Sequence, residues 1–174
     1  MRACTITGKH NIDEINKVGN RTYKAVRKHM TTLPETRLEH PYQLAMLRNL
    51  YIIGSDYIEA ESSLFISELN HKIQGYKGQD IKKTIHDKDS LIQLTDVLEK
   101  LVSSELTCCY CVKPLLVLYK NVREPMQWTL DRIDNSMGHT RDNTCISCLK
   151  CNLQRRVMNI DKFTFTKKLK IQKV

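Results

Sequence analysis

Apolar residues recur at spacings of three and four over 11–31, NIDEINKVGNRTYKAVRKHMT, where Ile12, Ile15, Val18, Tyr23, Val26 and Met30 predict a helix interrupted at Gly19-Asn20. A loop with two prolines, TTLPETRLEHP, follows, and YQLAMLRNLYII reads as a second helix ending near Gly54. Asp56 with Glu59 has the spacing of a capping box for DYIEAESSLFISELN. The segment GYKGQDIKKTIHDKD mixes glycine with both signs of charge and reads as a loop or linker. Ser90 with Gln93 then opens an amphipathic helix, SLIQLTDVLEKLVSSEL, with Leu91, Leu94, Val97, Leu98, Leu101 and Val102 as its apolar stripe. Nothing in these first hundred residues carries a catalytic signature, so residues 1–104 are expected to form a helical region that packs, dimerises or binds DNA.

From residue 108 the pattern turns to short strands. LLVLY at 115–119 is a compact apolar run, whereas QWTLD alternates, which sends Trp128 and Leu130 to one face and Thr129 and Asp131 to the other. Trp128 is expected in the core rather than stacked on a base, as large aromatics usually are.

With 174 residues, 41% of them hydrophobic, the chain can bury one good-sized core or two small ones. It has no apolar run long enough for a membrane span, and the polar start MRACTITGKHNIDE lacks the apolar stretch of a signal peptide. The expectation is an intracellular protein, of cytoplasm or nucleus, neither secreted nor membrane-bound. Seven cysteines therefore point to metal rather than to a disulfide framework, and six of them fall within one third of the sequence, leaving only Cys4 outside. Cys108-x-x-Cys111 and Cys148-x-x-Cys151 are two knuckles that can each offer two thiolates to one tetrahedral zinc, with Cys109 and Cys145 as rivals for the ligand places. Such a four-thiolate site is closed and structural, and the residues between the knuckles must carry structure of their own.

The net charge of +9 is uneven: residues 121–174 hold 11 basic against 5 acidic side chains, while residues 61–120 balance at 8 of each. A basic excess beside the cysteine cluster fits a polyanion such as nucleic acid, bound through counterion release.

The stretch from about 105 to 158 resembles the HNH, or His-Me finger, nucleases, closest to the zinc-stapled members that include the endonuclease VII-like junction resolvases. Cys108-x-x-Cys111, then LDRID, GHTRDN and CLKCNLQRR follow that family's order of knuckle, strand, loop and knuckle opening a helix. The resemblance implies an α+β protein: a helical amino-terminal region, a zinc-stabilised ββα-metal finger over 105–160 and a basic tail over 161–174. It implies a metal-dependent endonuclease acting on duplex or branched DNA, with a possible homodimer through the amino-terminal helices. By position, Asp131 and Asn152 match the two ligands of one catalytic magnesium or manganese ion, and Asn143 matches the asparagine that holds the finger's loop together. Arg132 stands where the family's general base, a histidine, is usual; arginine cannot serve, because it stays protonated.

A subset with Asp-Arg-Ile-Asp followed by Gly and an aromatic or His takes its base from the later position. Here that residue is His139, after Gly138, whose lack of a side chain would let the loop approach phosphate. Imidazole is partly neutral at cellular pH and able to accept a proton, with Arg132 stabilising charge on the phosphate. Asp134 is a weaker candidate that could join the metal site or pair with Arg132 or Arg141. In a helix starting near Leu149, Asn152 and Arg156 lie four apart, as do Cys151 and Arg155. Arg141, Lys150, Arg155 and Arg156 are the candidate nucleic-acid contacts. A rival reading is a zinc module that binds nucleic acid or a partner protein without catalysis; a redox role for the Cys-x-x-Cys pairs lacks the βαβ surroundings it needs.

Overall fold

A computed structural model of the chain describes residues 25–54, 57, 59 and 61–168. The helix expected over 11–31 lies mostly outside these residues, as do Asp56 of the expected capping box and the end of the basic tail. The described elements are α1 (His40–Ile53), α2 (Ser62–Lys82), α3 (Leu94–Ser103), β1 (Trp128–Arg132), β2 (Thr144–Cys148), α4 (Leu149–Arg155) and α5 (Ile160–Lys168), with short 3-10 turns at Lys28–Met30 and Glu35–Leu38. The class is α+β, and among the described residues no helix is long and apolar enough to cross a membrane.

Helix α1 starts with Pro41, whose missing N–H costs nothing in a first turn, and stops at Gly54, where φ is +74°. Its Met46, Leu47 and Leu50 are buried. Helix α2 differs from expectation, since it runs through Gly75 and Gly78 to Lys82 instead of breaking into a linker. The reason is its buried stripe, Phe65, Leu69, Ile73, Tyr76 and Asp80, whose tertiary packing outweighs the cost of about 1 kcal/mol that each interior glycine imposes. Helix α3 begins at Leu94 rather than near Ser90, because the Gln93 N–H donates to Asp96 Oδ2 at 2.9 Å and completes the cap there. Residues 91 and 92 are committed elsewhere: Leu91 bridges Thr140, and the Ile92 N–H donates to the His139 carbonyl at 2.9 Å.

Strands β1 and β2 pair antiparallel, with Trp128 opposite Cys148, Leu130 opposite Ile146 and Arg132 opposite Thr144. The expected strand at 115–119 makes only isolated bridges, such as Leu116 with Gln127. A buried side chain of α1 takes the partner strand's place: Gln43 Oε1 accepts the N–H groups of Val117 and Leu118 at 2.7 and 2.9 Å, and Gln43 Nε2 donates to the Leu118 carbonyl at 3.0 Å. Trp128 is fully buried, as expected of a core aromatic.

Residues on both sides of position 104 share one hydrophobic core, in which Leu47, Phe65 and Leu101 belong to the same cluster as Leu115, Trp128, Ile146 and Cys151. The amino-terminal helices are therefore part of the body that carries the strand pair, and α2 is positioned to contribute side chains to it.

Candidate functional site

Two clusters stand out around the strand pair. The first is sulfur. The knuckle after α3 turns sharply, with the Val112 N–H on the Cys108 carbonyl at 2.9 Å and Val112 at φ 54°. Cys148 ends β2 and caps α4, its sulfur accepting the Cys151 N–H at 3.2 Å, while Cys108 Sγ accepts the Cys148 N–H at 3.3 Å. The sulfurs of Cys108, Cys111, Cys148 and Cys151 all lie within 4.8 Å of one another and are placed to hold one metal ion. Cys109 and Cys145 do not compete for it; their sulfurs face each other at 3.3 Å.

The second cluster lines a cleft of about 740 Å³ between α2, β1, His139 and α4. Lys72 and Lys83 come from α2 and its end, Arg132 from β1, and Asn152 and Arg156 from α4 and its cap. Asp131 is the one acidic residue among the described residues of the wall, so the cleft carries an excess of positive charge.

His139 sits in that wall with 4% of its surface exposed. Its Nδ1 lies 2.7 Å from Asp80 Oδ1, and its backbone N–H donates to Asp80 Oδ2 at 2.7 Å. The Tyr76 ring, one turn earlier on α2, lies against the imidazole at 4.6 Å between centroids. Burial holds the imidazole pKa below its usual value; the Asp80 carboxylate pulls it back up, and the Arg132 and Lys83 charges push it down. The net effect favours the neutral ring. Gly138 is required for this packing: a Cβ there would lie 2.8 Å from the Ile85 carbonyl oxygen and 3.1 Å from Asp80 Oδ2.

Asp80 falls in the segment whose glycines and mixed charge read as a linker, so the sequence pattern does not single it out. Its signal is the α2 stripe itself, which places Asp80 on the buried face four residues after Tyr76.

Asp131 is engaged differently from its expected role. Its Oδ2 accepts from Arg155 Nε at 2.6 Å and from the Tyr110 hydroxyl at 2.7 Å, and its Oδ1 accepts from Arg155 Nη2 at 2.7 Å. Arg155 also donates to the carbonyls of Met158 and Arg132 and is 1% exposed. The expectation that Arg155 contacts nucleic acid is therefore corrected: its guanidinium is buried and consumed by an ion pair. The Asn152 amide nitrogen donates to Thr129 Oγ1 at 3.1 Å and to the Leu130 carbonyl at 3.2 Å, leaving its Oδ1 without a partner among the described residues.

Asn143 ties the loop after β1, its Oδ1 accepting the Asp134 N–H at 2.8 Å and its Nδ2 donating to the Asp134 and Gly138 carbonyls at 2.9 and 3.0 Å. Arg132 donates from Nη1 to the Met137 carbonyl at 3.1 Å and lies 3.9 Å from Asp80 Oδ1. Asp134 turns back on Ser136, whose N–H and hydroxyl hold its carboxyl below the usual range, and it pairs with neither Arg132 nor Arg141. Arg141 lies away from the His139 cleft, paired with Glu99 at 2.8 Å and Asp96 at 3.7 Å on α3, so its charge is already answered. Lys150 is exposed outside the cleft wall, whereas exposed Arg156 lines it.

No protein-family model, curated protein or solved structure matches the chain.

Proposed function

We propose that the chain is an endonuclease of the zinc-stapled HNH type, hydrolysing DNA phosphodiester bonds with His139 as general base. The observation that carries this reading is a buried imidazole, held by Asp80 through Nδ1, in the wall of a basic cleft between α2, β1 and α4. A base must accept a proton within hydrogen-bond reach of the attacking water, and Nε2 is the ring nitrogen that Asp80 leaves free. Water on Nε2 gives up its proton to the ring as its oxygen attacks phosphorus; the P–O3′ bond breaks and the 3′-oxygen leaves, taking a proton from solvent. Arg132, Lys83 and Arg156 stabilise the charge that gathers on the phosphoryl oxygens. Cleavage would leave a 5′-phosphate, as in the family that the motifs resemble.

The structural ion is read as zinc. Zinc–sulfur bonds of about 2.3 Å put tetrahedral sulfurs about 3.8 Å apart, and four thiolates within 4.8 Å of one another suit that ion. It would staple the first knuckle to the start of α4 and leave no open position for substrate.

The magnesium or manganese ion implied by the resemblance fits less well. A carboxylate offers about four lone-pair sites, and Asp131 commits three to Arg155 and Tyr110 while its charge is neutralised by a guanidinium. Asp131 is therefore poorly placed to hold a catalytic cation while Arg155 is paired with it. The same observation favours the second reading, a zinc module that binds DNA without cutting it.

Plasmid and branched DNA incubated with the zinc-loaded protein separate the two. Nicking that disappears in His139→Ala, with zinc content and melting temperature retained, supports the enzyme. Binding without nicking in magnesium, manganese and EDTA supports the module. Nicking that requires the divalent ion would mean that Asp131 exchanges Arg155 for the cation.

A further inference from the structure

We propose that Asp80 is the positioning residue for His139, fixing both the place and the tautomer of the imidazole from helix α2, outside the strand–strand–helix unit that carries His139, Arg132 and Arg156. Its catalytic consequence rests on the nuclease reading; its structural content does not.

Three observations carry it. First, one carboxylate grips one residue at two points, with Oδ1 on the ring Nδ1 at 2.7 Å and Oδ2 on the backbone N–H at 2.7 Å, so Asp80 sets the loop and the ring together. Second, the approach is built in from both sides. Gly138 leaves room that a Cβ would fill at 3.1 Å from Asp80 Oδ2, and Tyr76 limits the ring plane while its oxygen accepts the Leu130 N–H at 3.0 Å. Third, Asp80 is 1% exposed and has a permanent cation, Arg132 Nη1, at 3.9 Å. An ionised carboxylate only accepts hydrogen bonds, so Nδ1 must carry the proton and Nε2 must present its lone pair. That is the tautomer a general base needs.

Asp80→Asn changes little in shape but removes one acceptor. If the single amide oxygen keeps the backbone N–H of His139, the amide NH₂ faces Nδ1, which must then become an acceptor. The ring proton moves to Nε2, and the lone pair no longer faces the cleft. The loss should approach the whole general-base contribution, about 10²–10⁴-fold.

The experiment uses full-length, zinc-loaded protein labelled with ¹⁵N-histidine, with His139 assigned by its absence in His139→Ala. Ring nitrogen shifts at neutral pH should report a protonated Nδ1 and a bare Nε2 in the wild type, and the reverse in Asp80→Asn. A bare Nδ1 in the wild type overturns the proposal whether or not the variant folds. Single-turnover nicking against pH supplies the second readout. The charged and titratable groups facing His139 are Asp80, Lys83 and Tyr76 from α2 and its end, and Arg132 from β1. Of these, Asp80 raises the imidazole pKa, so its removal should move the acid limb of the profile to lower pH while the plateau falls. A merely structural role would scale the profile without moving the limb, and that result refutes positioning. Asp80→Asn combined with His139→Ala should lose no more activity than His139→Ala alone; additive losses refute it too. Absence of nicking in the wild type would end the nuclease reading, with the tautomer result still deciding the role of Asp80.

Discussion

Arg155→Met tests whether the floor of the cleft is an ion pair or a cation site. The substitution keeps the length and apolar stem of the side chain but removes its hydrogen bonds to Asp131 and its donations to the Met158 and Arg132 carbonyls. Asp131, 4% exposed, would keep only the Tyr110 hydroxyl as a side-chain partner. Breaking a buried pair from one side leaves an uncompensated charge and costs about 3–5 kcal/mol. In a domain of this size each kcal/mol moves the melting temperature by about 2–4 °C, so the loss should fall in the range of about 6–20 °C by calorimetry or circular dichroism.

Adding magnesium sharpens the test. A cation held at 100 times its Kd stabilises a folded protein by about 2.7 kcal/mol. The wild type, with Arg155 already on Asp131, should show no such rise in melting temperature, while Arg155→Met should recover part of its loss. A variant that melts with the wild type, or a wild type that gains several degrees from magnesium alone, would refute the assignment of Asp131 to Arg155.

Other outcomes follow from the same geometry. Cys148→Ser should abolish stoichiometric metal binding by elemental analysis and unfold the knuckle region, since metal affinity in such sites is folding free energy. Cys109→Ser should leave metal content unchanged. Gly75 lines the cleft and Gly78 does not, yet a Cβ at either would meet nothing within 4 Å. Replacing each by Gln should raise stability by about 0.5–1 kcal/mol, but only Gly75→Gln should weaken binding to a DNA duplex in an anisotropy titration; equal effects on binding would argue that DNA does not approach α2. Because the folded-state pKa of His139 is depressed, the unfolded chain binds more protons once pH falls below the usual histidine range. Its contribution to stability is therefore present at neutral pH and lost on acidification through that range, and denaturant midpoints of wild type and His139→Gln should converge as pH falls.

The sulfur ligands were legible because Cys-x-x-Cys spacing is a local constraint, and the two knuckles meet as their spacing implies. The face of α4 was legible in part. Cys151 and Arg155 are four apart and buried together, and Asn152 and Arg156 are four apart and line the cleft together. Reading Arg155 by its charge instead of by the face it shares with Cys151 sent it to the wrong surface. Helix α2 failed for a similar reason: Gly75 and Gly78 are local signals for a break, while the stripe from Phe65 to Asp80 depends on partners distant in sequence. The replacement of a strand partner at Val117 and Leu118 by the Gln43 side chain had no local signal at all. Tertiary packing decided α2, and tertiary hydrogen bonding decided Arg155 and the 117–118 segment.

The proposed role of His139 is to remove the proton from water at a DNA phosphate. It is tested most directly by single-turnover cleavage of supercoiled plasmid by zinc-loaded wild type and His139→Ala, with metal content and melting temperature matched. The wild type should give nicked circles, and the variant should lose about 10²–10⁴-fold in rate. DNA bound but left intact by the wild type, or cut equally well by both, would contradict it.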